Sequence, residues 1–304
     1  MTPALFSVSY AGFWGQSCLP LFQFIDKARE LGYPAVMLMG KRPHLAPLDY
    51  MPEQAAAIKE HLERRRVACP VVGAYTDFAC AGAAEVPYLE MQVAYVAALA
   101  GLARAVGATI VRVFTGYEAA GLPPATVWSR VVTGLQECCD RAAAEGVTIA
   151  IQNHHDLAVH SDALLELLGD VDRPNCKLGF DAWSLWLRGE DLFEAARRMA
   201  PYAACTTNAD YVRLPRFRYR AELVNYVAEP AMVRAVPFGE GAIDYAAFFA
   251  GLREGGFDGP ATYEMCSPLR GGGSLANLDR YATRYLAWMK THAGPAPIAE
   301  RARE

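Results

Sequence analysis

The amino-acid sequence predicts an α/β fold, a single closed (β/α)8 barrel. Eight short β-rich runs alternate with eight longer helical patterns along the 304 residues. Such alternation predicts parallel strands joined by crossover helices, and eight units in a chain of this length fit a closed barrel better than an open sheet. The alternative, a doubly wound sheet, would need a glycine-rich phosphate turn after the first strand. The sequence there is SYAGFWGQ, which lacks the Gly-x-Gly-x-x-Gly pattern.

The strands are predicted from short apolar runs that are bounded by turn residues. They cover Ala4–Ser9, Ala35–Met39, Val71–Tyr75, Thr109–Phe114, Val147–Gln152, Cys176–Asp181, Ala203–Thr207 and Ala261–Glu264.

The helices are predicted from longer stretches between those strands, several of which run directly into a glycine. Glycine there ends a helix in the left-handed conformation. The predicted helices are Leu21–Leu31, Glu53–Arg66, Val86–Val106, Ala125–Glu145, Asp162–Gly169, Asp191–Ala200, Tyr245–Glu254 and Leu275–Lys290.

One long insertion interrupts this alternation. Residues 211–240 lie between the seventh strand and the seventh helix, too many for an ordinary βα loop. The segment is rich in tyrosine and arginine and follows a strand, so we expect a lid over the catalytic face, with a subunit contact as the alternative. Residues 1–304 are otherwise interpreted as one domain, with 293–304 as a peripheral tail.

Composition limits the function classes. Hydrophobic residues make up 53% of the chain and charged residues 20%, which is typical of a globular protein and excludes disorder of the whole chain. The net charge of −4 argues against a nucleic-acid partner, which requires concentrated lysine and arginine. Eight cysteines without a Cys-x-x-Cys pair indicate buried free thiols and a reducing compartment.

The sequence also indicates where the protein works. The first residues lack the basic region and long apolar core of a signal peptide, and no apolar run reaches the length that crosses a bilayer. We therefore expect a cytoplasmic protein without a membrane partner.

Oxygen-bearing side chains stand at the ends of neighbouring strands. Gln152 ends the fifth strand, Asp181 the sixth and Glu264 the eighth. The carboxyl ends of barrel strands meet at one mouth, so these side chains are expected to converge there. Oxygen ligands suit Mn²⁺ or Mg²⁺. The alternative is that each carboxylate pairs with a local arginine or lysine.

Three motifs resemble the xylose-isomerase-like TIM barrels, the sugar phosphate isomerase/epimerase superfamily. They are PFGEGAIDYAAFFAGLREGGFDGPATYEM at 237–265, VTIAIQNHH at the fifth strand and CKLGFDAW at the sixth. The resemblance implies a metal-binding Asp181 and a metal-binding, acid–base Glu264. It also implies a divalent metal, Mn²⁺ or Mg²⁺, at Gln152, Asp181 and Glu264.

The chain departs from that pattern at two positions. Gln152 replaces the family's strand-five glutamate, and Thr207 falls where the family has a histidine if Asp210 is the aligned aspartate. Glutamine can offer a neutral oxygen to a metal but cannot accept a proton at neutral pH. His154 and His155 directly follow Gln152 and are candidate catalytic residues, because histidine both titrates and binds metals near neutral pH.

The candidate substrate-binding residues stand after or within other strands. They are Lys41, His44, Arg112, Trp183 and Arg234. The resemblance implies that an arginine near the Gly-Glu-Gly motif, here Arg234, holds substrate oxygens. Tryptophan faces stack on sugar rings but also serve in packing.

Together these residues predict a metal-assisted enzyme for a small-molecule sugar, either a ketose, a cyclitol or an oxo-sugar. It would act as an isomerase or epimerase by abstracting a proton next to a carbonyl. Because Gln152 removes one carboxylate, a lyase or dehydratase for an oxo-sugar or 3-keto-glycoside is the first alternative. A metal-free sugar-binding or partner subunit is the second, and assembly into a homo-oligomer stays open.

Overall fold

A closed barrel of eight parallel strands forms the centre of the computed structural model, which describes residues 1–80, 82, 85–118 and 121–292. The strand order around the barrel is β1-β2-β3-β4-β5-β6-β7-β10, which confirms the predicted fold class. The barrel strands are β1 Thr2–Phe6, β2 Ala35–Met39, β3 Ala68–Gly73, β4 Ile110–Val113, β5 Thr148–Ile151, β6 Cys176–Phe180, β7 Ala203–Asn208 and β10 Pro260–Tyr263.

Helices cover the outside of the barrel and follow the strands in turn. They are α1 Leu21–Glu30, α2 Pro52–Arg65, α3 Tyr88–Val106, α4 Pro124–Ala143, α5 Ser161–Val171, α6 Ala182–Arg188, α7 Leu192–Met199, α8 Tyr245–Glu254 and α9 Leu275–His292. Their apolar faces pack on the outer side of the strands, and a second, smaller apolar cluster fills the barrel interior. This two-layer packing fixes the strand ends on which the site is built.

Helix α6 is an element that the sequence did not predict. The loop expected after Asp181 is helical, because the Asp181 side chain caps it by accepting a hydrogen bond from the Ser184 amide at 3.1 Å. The helix turns Trp183 toward the barrel mouth and ends at Gly189.

The segment between β7 and α8 is a β-hairpin. Strands β8 Asp210–Arg220 and β9 Asn225–Val236 pair antiparallel with each other, separately from the barrel. The base of the hairpin is buried at Tyr211 and Val236, whereas the outer part is exposed. Whether it acts as a lid remains a prediction.

Helix α3 corrects one expectation from the sequence. Its 19 residues are long and apolar enough to cross a membrane by length and composition alone. In the structure its buried residues pack against the barrel, as those of the other barrel helices do. The predicted tail, residues 293–304, lies outside the described residues. All eight cysteines are free thiols, and five of them are buried.

Candidate active site

A cavity of about 550 Å³ opens at the carboxyl ends of the barrel strands. Its size is in the ordinary range for small-molecule sites, about 300–1,000 Å³. Seven of the site residues predicted from the sequence line it: Lys41, Arg112, Gln152, His154, His155, Trp183 and Glu264. Most of the site residues predicted from the sequence therefore lie around this one cavity.

Asp181 lies directly behind the cavity wall. It is 3% exposed, and its Oδ2 accepts a hydrogen bond of 2.7 Å from Nε2 of Gln152. The Asn153 side chain joins the same two strand ends, because Nδ2 donates to the Asp181 carbonyl and Oδ1 accepts from the Asp181 amide. These hydrogen bonds hold the ends of β5 and β6 against each other.

Two carboxyl groups at this mouth hold their protons more tightly than usual. Burial raises the pKa of Asp181 to about 6, although hydrogen bonds from Gln152 and Ser184 oppose the rise. Removal from water raises the pKa of Glu264 to about 7, with the charge of Arg112 opposing and that of Asp181 adding to the rise. Glu264 is therefore divided between its acid and base forms near neutral pH.

The two adjacent histidines form an aromatic wall beside Gln152. The His154 ring packs 5.1 Å from Trp183, and the His155 ring packs 4.1 Å from Tyr117 between ring centroids. Nε2 of His155 lies 2.9 Å from the Tyr117 hydroxyl. Burial lowers the pKa of His154 to about 3 and that of His155 to about 4, so both rings are neutral at pH 7.

His155 adopts an uncommon backbone conformation. Its φ is +68°, a left-handed value that costs roughly 1 kcal/mol or more in a residue other than glycine. The sharp turn after Gln152 brings both rings to the cavity. Outliers of this kind concentrate at functional sites.

Two cations occupy the side of the cavity formed by β2, β3 and β4. Arg112 is 1% exposed, and its guanidinium carbon lies 4.0 Å from the ring centroid of Phe114. Lys41 Nζ lies 3.6 Å from the ring centroid of Tyr75. Burial, followed by the charge of Arg112, lowers the pKa of Lys41. Neither residue forms an ion pair with a carboxylate among the described residues.

Several buried polar atoms on cavity residues have no hydrogen-bond partner within the described protein. They are Nε of Arg112, Oε1 of Gln152, Nδ1 of His155 and Nε1 of Trp183. An unsatisfied buried polar group costs about 1–3 kcal/mol, so these four atoms are available to hydrogen-bond water or a ligand in the cavity.

The ends of β5, β6, β7 and β10 carry oxygen atoms of the kind that bind a hard divalent cation. Oε1 of Gln152 and Oγ1 of Thr207 are buried without a partner, and Asp181 and Glu264 stand at the two flanking strand ends. No group of three histidine, cysteine or acidic side chains with metal-site geometry occurs in the described ranges. Any ion here would therefore depend on the two neutral oxygens and the two carboxylates, a set suited to Mg²⁺ or Mn²⁺.

Two residues predicted from the sequence lie elsewhere. His44 is fully buried, with Nδ1 2.9 Å from Oγ of Ser7 and Nε2 3.0 Å from the Leu19 carbonyl, so both ring nitrogens are used in packing β1 against α1. Arg234 lies on β9, and its Nη2 approaches the Leu269 carbonyl at 3.5 Å. Its neighbour Val233 lines the cavity, and successive strand residues face opposite sides.

Other cavity residues were not predicted as site residues. Tyr75, Tyr117, Tyr211 and Cys266 all line the cavity. The one signal for Cys266 was its place two residues after Glu264, which puts both side chains on the same side of an extended chain. Tyr117 comes from a loop whose path no local pattern specified.

The sequence profile of the family described as xylose isomerase-like TIM barrel matches residues 25–292. The chain belongs to this family. No match is found among curated proteins.

Solved structures share the fold at low sequence identity. A D-psicose 3-epimerase from Clostridium cellulolyticum H10, crystallised with D-tagatose, has a TM-score of 0.74 and 15% identity over 96% of this chain and 99% of its own. The probable 3-DHS dehydratase AsbF from Bacillus anthracis has a TM-score of 0.71 and 17% identity over 95% and 99%. The structures that share this fold thus include an epimerase and a probable dehydratase.

Proposed function

We propose that this family member removes a proton from the carbon next to a carbonyl in a ketose, cyclitol or oxo-sugar, with isomerisation or epimerisation as the outcome. The supporting observation is Glu264, whose pKa of about 7 suits a general base at neutral pH, at a cavity ringed by unpartnered polar atoms. The epimerase and the probable dehydratase that share the fold are consistent with it.

Each residue has a distinct role in this proposal. Glu264 takes the proton from carbon. Trp183 Nε1 and His155 Nδ1 donate hydrogen bonds to substrate oxygens in this proposal. The Tyr117 hydroxyl donates to Nε2 of His155, so the imidazole proton lies on Nδ1. Both His154 and His155 are neutral at pH 7, so they serve better as hydrogen-bonding groups than as the base.

A divalent ion would be held by Gln152, Asp181 and Glu264, with Thr207 as a further oxygen. When bound, such an ion polarises the substrate carbonyl and stabilises the enediolate. Asp181 supplies a carboxylate that hydrogen bonds from Gln152 and from the Ser184 amide of α6 hold in place.

A lyase is the second candidate, and the Gln152 side chain favours it. Two-base epimerisation needs a proton carrier on each face of the carbon, and an amide cannot accept a proton. With Glu264 as the single strong base, elimination from an oxo-sugar or 3-keto-glycoside is feasible, because it requires one proton abstraction and the loss of one leaving group. The metal-free binding subunit is the third candidate, and it requires ligand binding without exchange.

Deuterium exchange tests the shared first step without knowledge of the product. The Mn²⁺-loaded protein is incubated in D₂O with a panel of ketoses, inososes and 3-keto-glycosides, and wash-in next to the carbonyl is followed by NMR. We expect exchange with wild type and a loss of about 10²–10⁴-fold in Glu264→Gln. Exchange that is equal in both proteins would contradict the assigned base. Binding without exchange would support the binding-subunit alternative.

A further inference from the structure

Arg112 is a buried cation that forms no ion pair within the described residues, and its charge opposes the rise in the pKa of Glu264. Only 1% of its surface is exposed, Nη1 donates to the Ala74 carbonyl at 2.9 Å, and Nε has no partner within the described ranges. An unpaired buried charge is unfavourable by several kcal/mol, because water no longer solvates it. Because Arg112 lines the cavity, a negatively charged ligand bound there would offset this unfavourable energy.

The barrel is shaped around this side chain. A Cβ atom on Gly73 would lie 3.0 Å from Nη2 of Arg112, and a Cβ on Gly179 would lie 3.1 Å from its Cγ. At Gly73 the same Cβ would lie 2.8 Å from both Met37 and Phe6. The glycines of β3 and β6 therefore leave room for Arg112 together with its neighbours inside the barrel. Phe114 and Tyr75 supply aromatic faces 4.0 and 5.2 Å from the guanidinium carbon, which favour a cation but do not neutralise it.

Lys41 adds a second positive charge to the same side. Its Nζ and the Arg112 guanidinium both lie over the Tyr75 ring, at 3.6 and 5.2 Å from the centroid. Asp77, at the rim of the cavity, accepts a hydrogen bond from the Tyr117 amide and forms no ion pair with either cation. The acidic residues of the proposed chemistry, Asp181 and Glu264, directly follow β6 and β10. The two cations thus come from the β2–β4 part of the barrel and the two carboxyl groups from the β6–β10 part.

We infer that the natural ligand carries a carboxylate, which Arg112 and Lys41 bind while the reacting carbonyl faces Glu264. The inference rests on the proposed function and names its substrate class: an oxo-acid of the sugar or cyclitol type. Arg112 is charged before the reaction begins, so its partner in the ligand should be charged before the reaction as well. An enediolate exists only during turnover and would leave Arg112 unpaired in the substrate complex.

A carboxylate fits these groups better than a phosphate. The planar guanidinium matches the two oxygens of a carboxylate, with Lys41 as an additional point charge. Phosphate sites in such barrels commonly use backbone amides after strands seven and eight. Here the two cations come from the β2 and β4 side of the barrel, away from that position.

Binding measurements with defined probes test the inference without turnover. Wild type, Arg112→Met, Lys41→Met and the control Arg104→Met, on the exposed face of α3, are titrated with D-glucuronate, D-glucose and D-glucose 6-phosphate by calorimetry. We expect D-glucuronate to bind wild type and the control, and to bind Arg112→Met about 10- to 100-fold more weakly, the loss expected for a charge-assisted hydrogen bond. D-glucose should bind weakly to all four proteins.

Thermal unfolding separates lost binding from lost folding. Arg112→Met removes a buried unpaired charge at similar volume, so we expect its Tm without ligand to equal or exceed that of wild type. D-glucuronate binding that is unchanged in Arg112→Met, or equal binding of D-glucose and D-glucuronate, would overturn the inference. Preferred binding of the phosphate would overturn the assignment to a carboxylate. Deuterium exchange on neutral sugars alone would support the proposed function and contradict the inferred carboxylate ligand.

Discussion

Gln152 donates its side-chain amide to Asp181 across 2.7 Å, at the carboxyl ends of two adjacent strands. In the family pattern a glutamate stands at the position of Gln152, and two ionised carboxylates at this distance would repel each other without a cation between them. The amide removes that repulsion and holds Asp181 without metal. The site is therefore organised before any ion binds, at the cost of one proton-accepting group.

Gln152→Glu is expected to make the site depend on metal. Without metal the new carboxylate faces Asp181, so the variant should lose stability relative to wild type as the pH rises above about 6, where Asp181 ionises. Mn²⁺ should bind at least about tenfold more tightly, because one more negative charge faces the ion. Calorimetry with chelator-treated protein measures both effects. Gln136→Glu on α4 is the matched control, since its amide contacts backbone carbonyls far from the cavity. Equal Mn²⁺ affinity in wild type and Gln152→Glu would show that residue 152 does not contact the ion.

Glu264→Gln is expected to lower the activity and to raise the stability of the protein. The carboxyl has an ordinary pKa of 4.5 in the unfolded chain and a pKa of about 7 in the folded protein. Its neutral form is thus favoured by folding, and this stabilisation is present below pH 4.5 and is lost as the pH rises through 7. In metal-free protein at pH 8 the variant should be more stable than wild type by on the order of 2 kcal/mol. At pH 5 the difference should be small.

Urea unfolding at pH 5, 6, 7 and 8 measures this difference. The same carboxyl predicts that kcat/KM of wild type rises with pH through about 7, because only the ionised form accepts a proton. A stability difference that is constant over the four pH values would mean that Glu264 is not buried away from water in the folded protein.

The barrel and the strand ends of the site could be predicted from the sequence because both follow from local pattern. Eight apolar runs alternate with helices, and each run that ends in Gln152, Asp181 or Glu264 delivers that side chain to the mouth. The motif Gly-Glu-Gly was recognisable in the sequence, but its structural reason is a contact with a distant residue. The amides of Gly239 and Gly241 each donate to Oδ2 of Asp210 at 2.9 Å, so the motif closes a turn beneath the hairpin.

The remaining features depend on contacts between distant residues. His44 follows a strand as a site residue would, but its two ring nitrogens contact the Ser7 hydroxyl and the Leu19 carbonyl. Arg234 was placed near the site by its motif, whereas the pairing of β8 with β9 turns Val233 instead toward the cavity. The match of Arg112 with Gly73 and Gly179 joins three strands, so no single segment of sequence contains it.

Tyr117→Phe is expected to lower activity by about 2- to 10-fold. The phenol oxygen lies 2.9 Å from Nε2 of His155, and losing one neutral hydrogen bond of about 0.5–1.5 kcal/mol lets the His155 ring turn. Tyr202→Phe, at an exposed tyrosine beyond α7, serves as the control and should retain full activity. The readout is the initial rate of deuterium wash-in under saturating substrate. Equal rates in Tyr117→Phe and wild type would show that the phenol does not position His155.

The hairpin of β8 and β9 is expected to mediate self-association of the chain. Tyr219 pairs across the strands with Tyr226, and Phe217 stands on the same face; all three are more than half exposed. A two-stranded ribbon with one apolar face is only marginally stable in water by itself, so a partner surface should cover it. The hairpin, residues 210–236, contains five arginines, two glutamates and one aspartate, a net charge of +2. The other residues carry −6, which gives the chain its net charge of −4. That opposite charge makes a second copy of this chain the complementary partner.

Sedimentation velocity over a concentration series tests this association. Wild type should sediment as a dimer or larger species, and the double variant Phe217→Ser/Tyr226→Ser should shift toward monomer, because both large side chains would leave the contact. Added salt should weaken wild-type association, since the charges of the hairpin are exposed and therefore screened. Leu48→Ser removes an exposed apolar side chain away from the hairpin and should change nothing. A wild type that stays monomeric throughout the series would refute the assignment, and ligand-dependent hydrogen exchange of the hairpin would then favour its expected role as a lid.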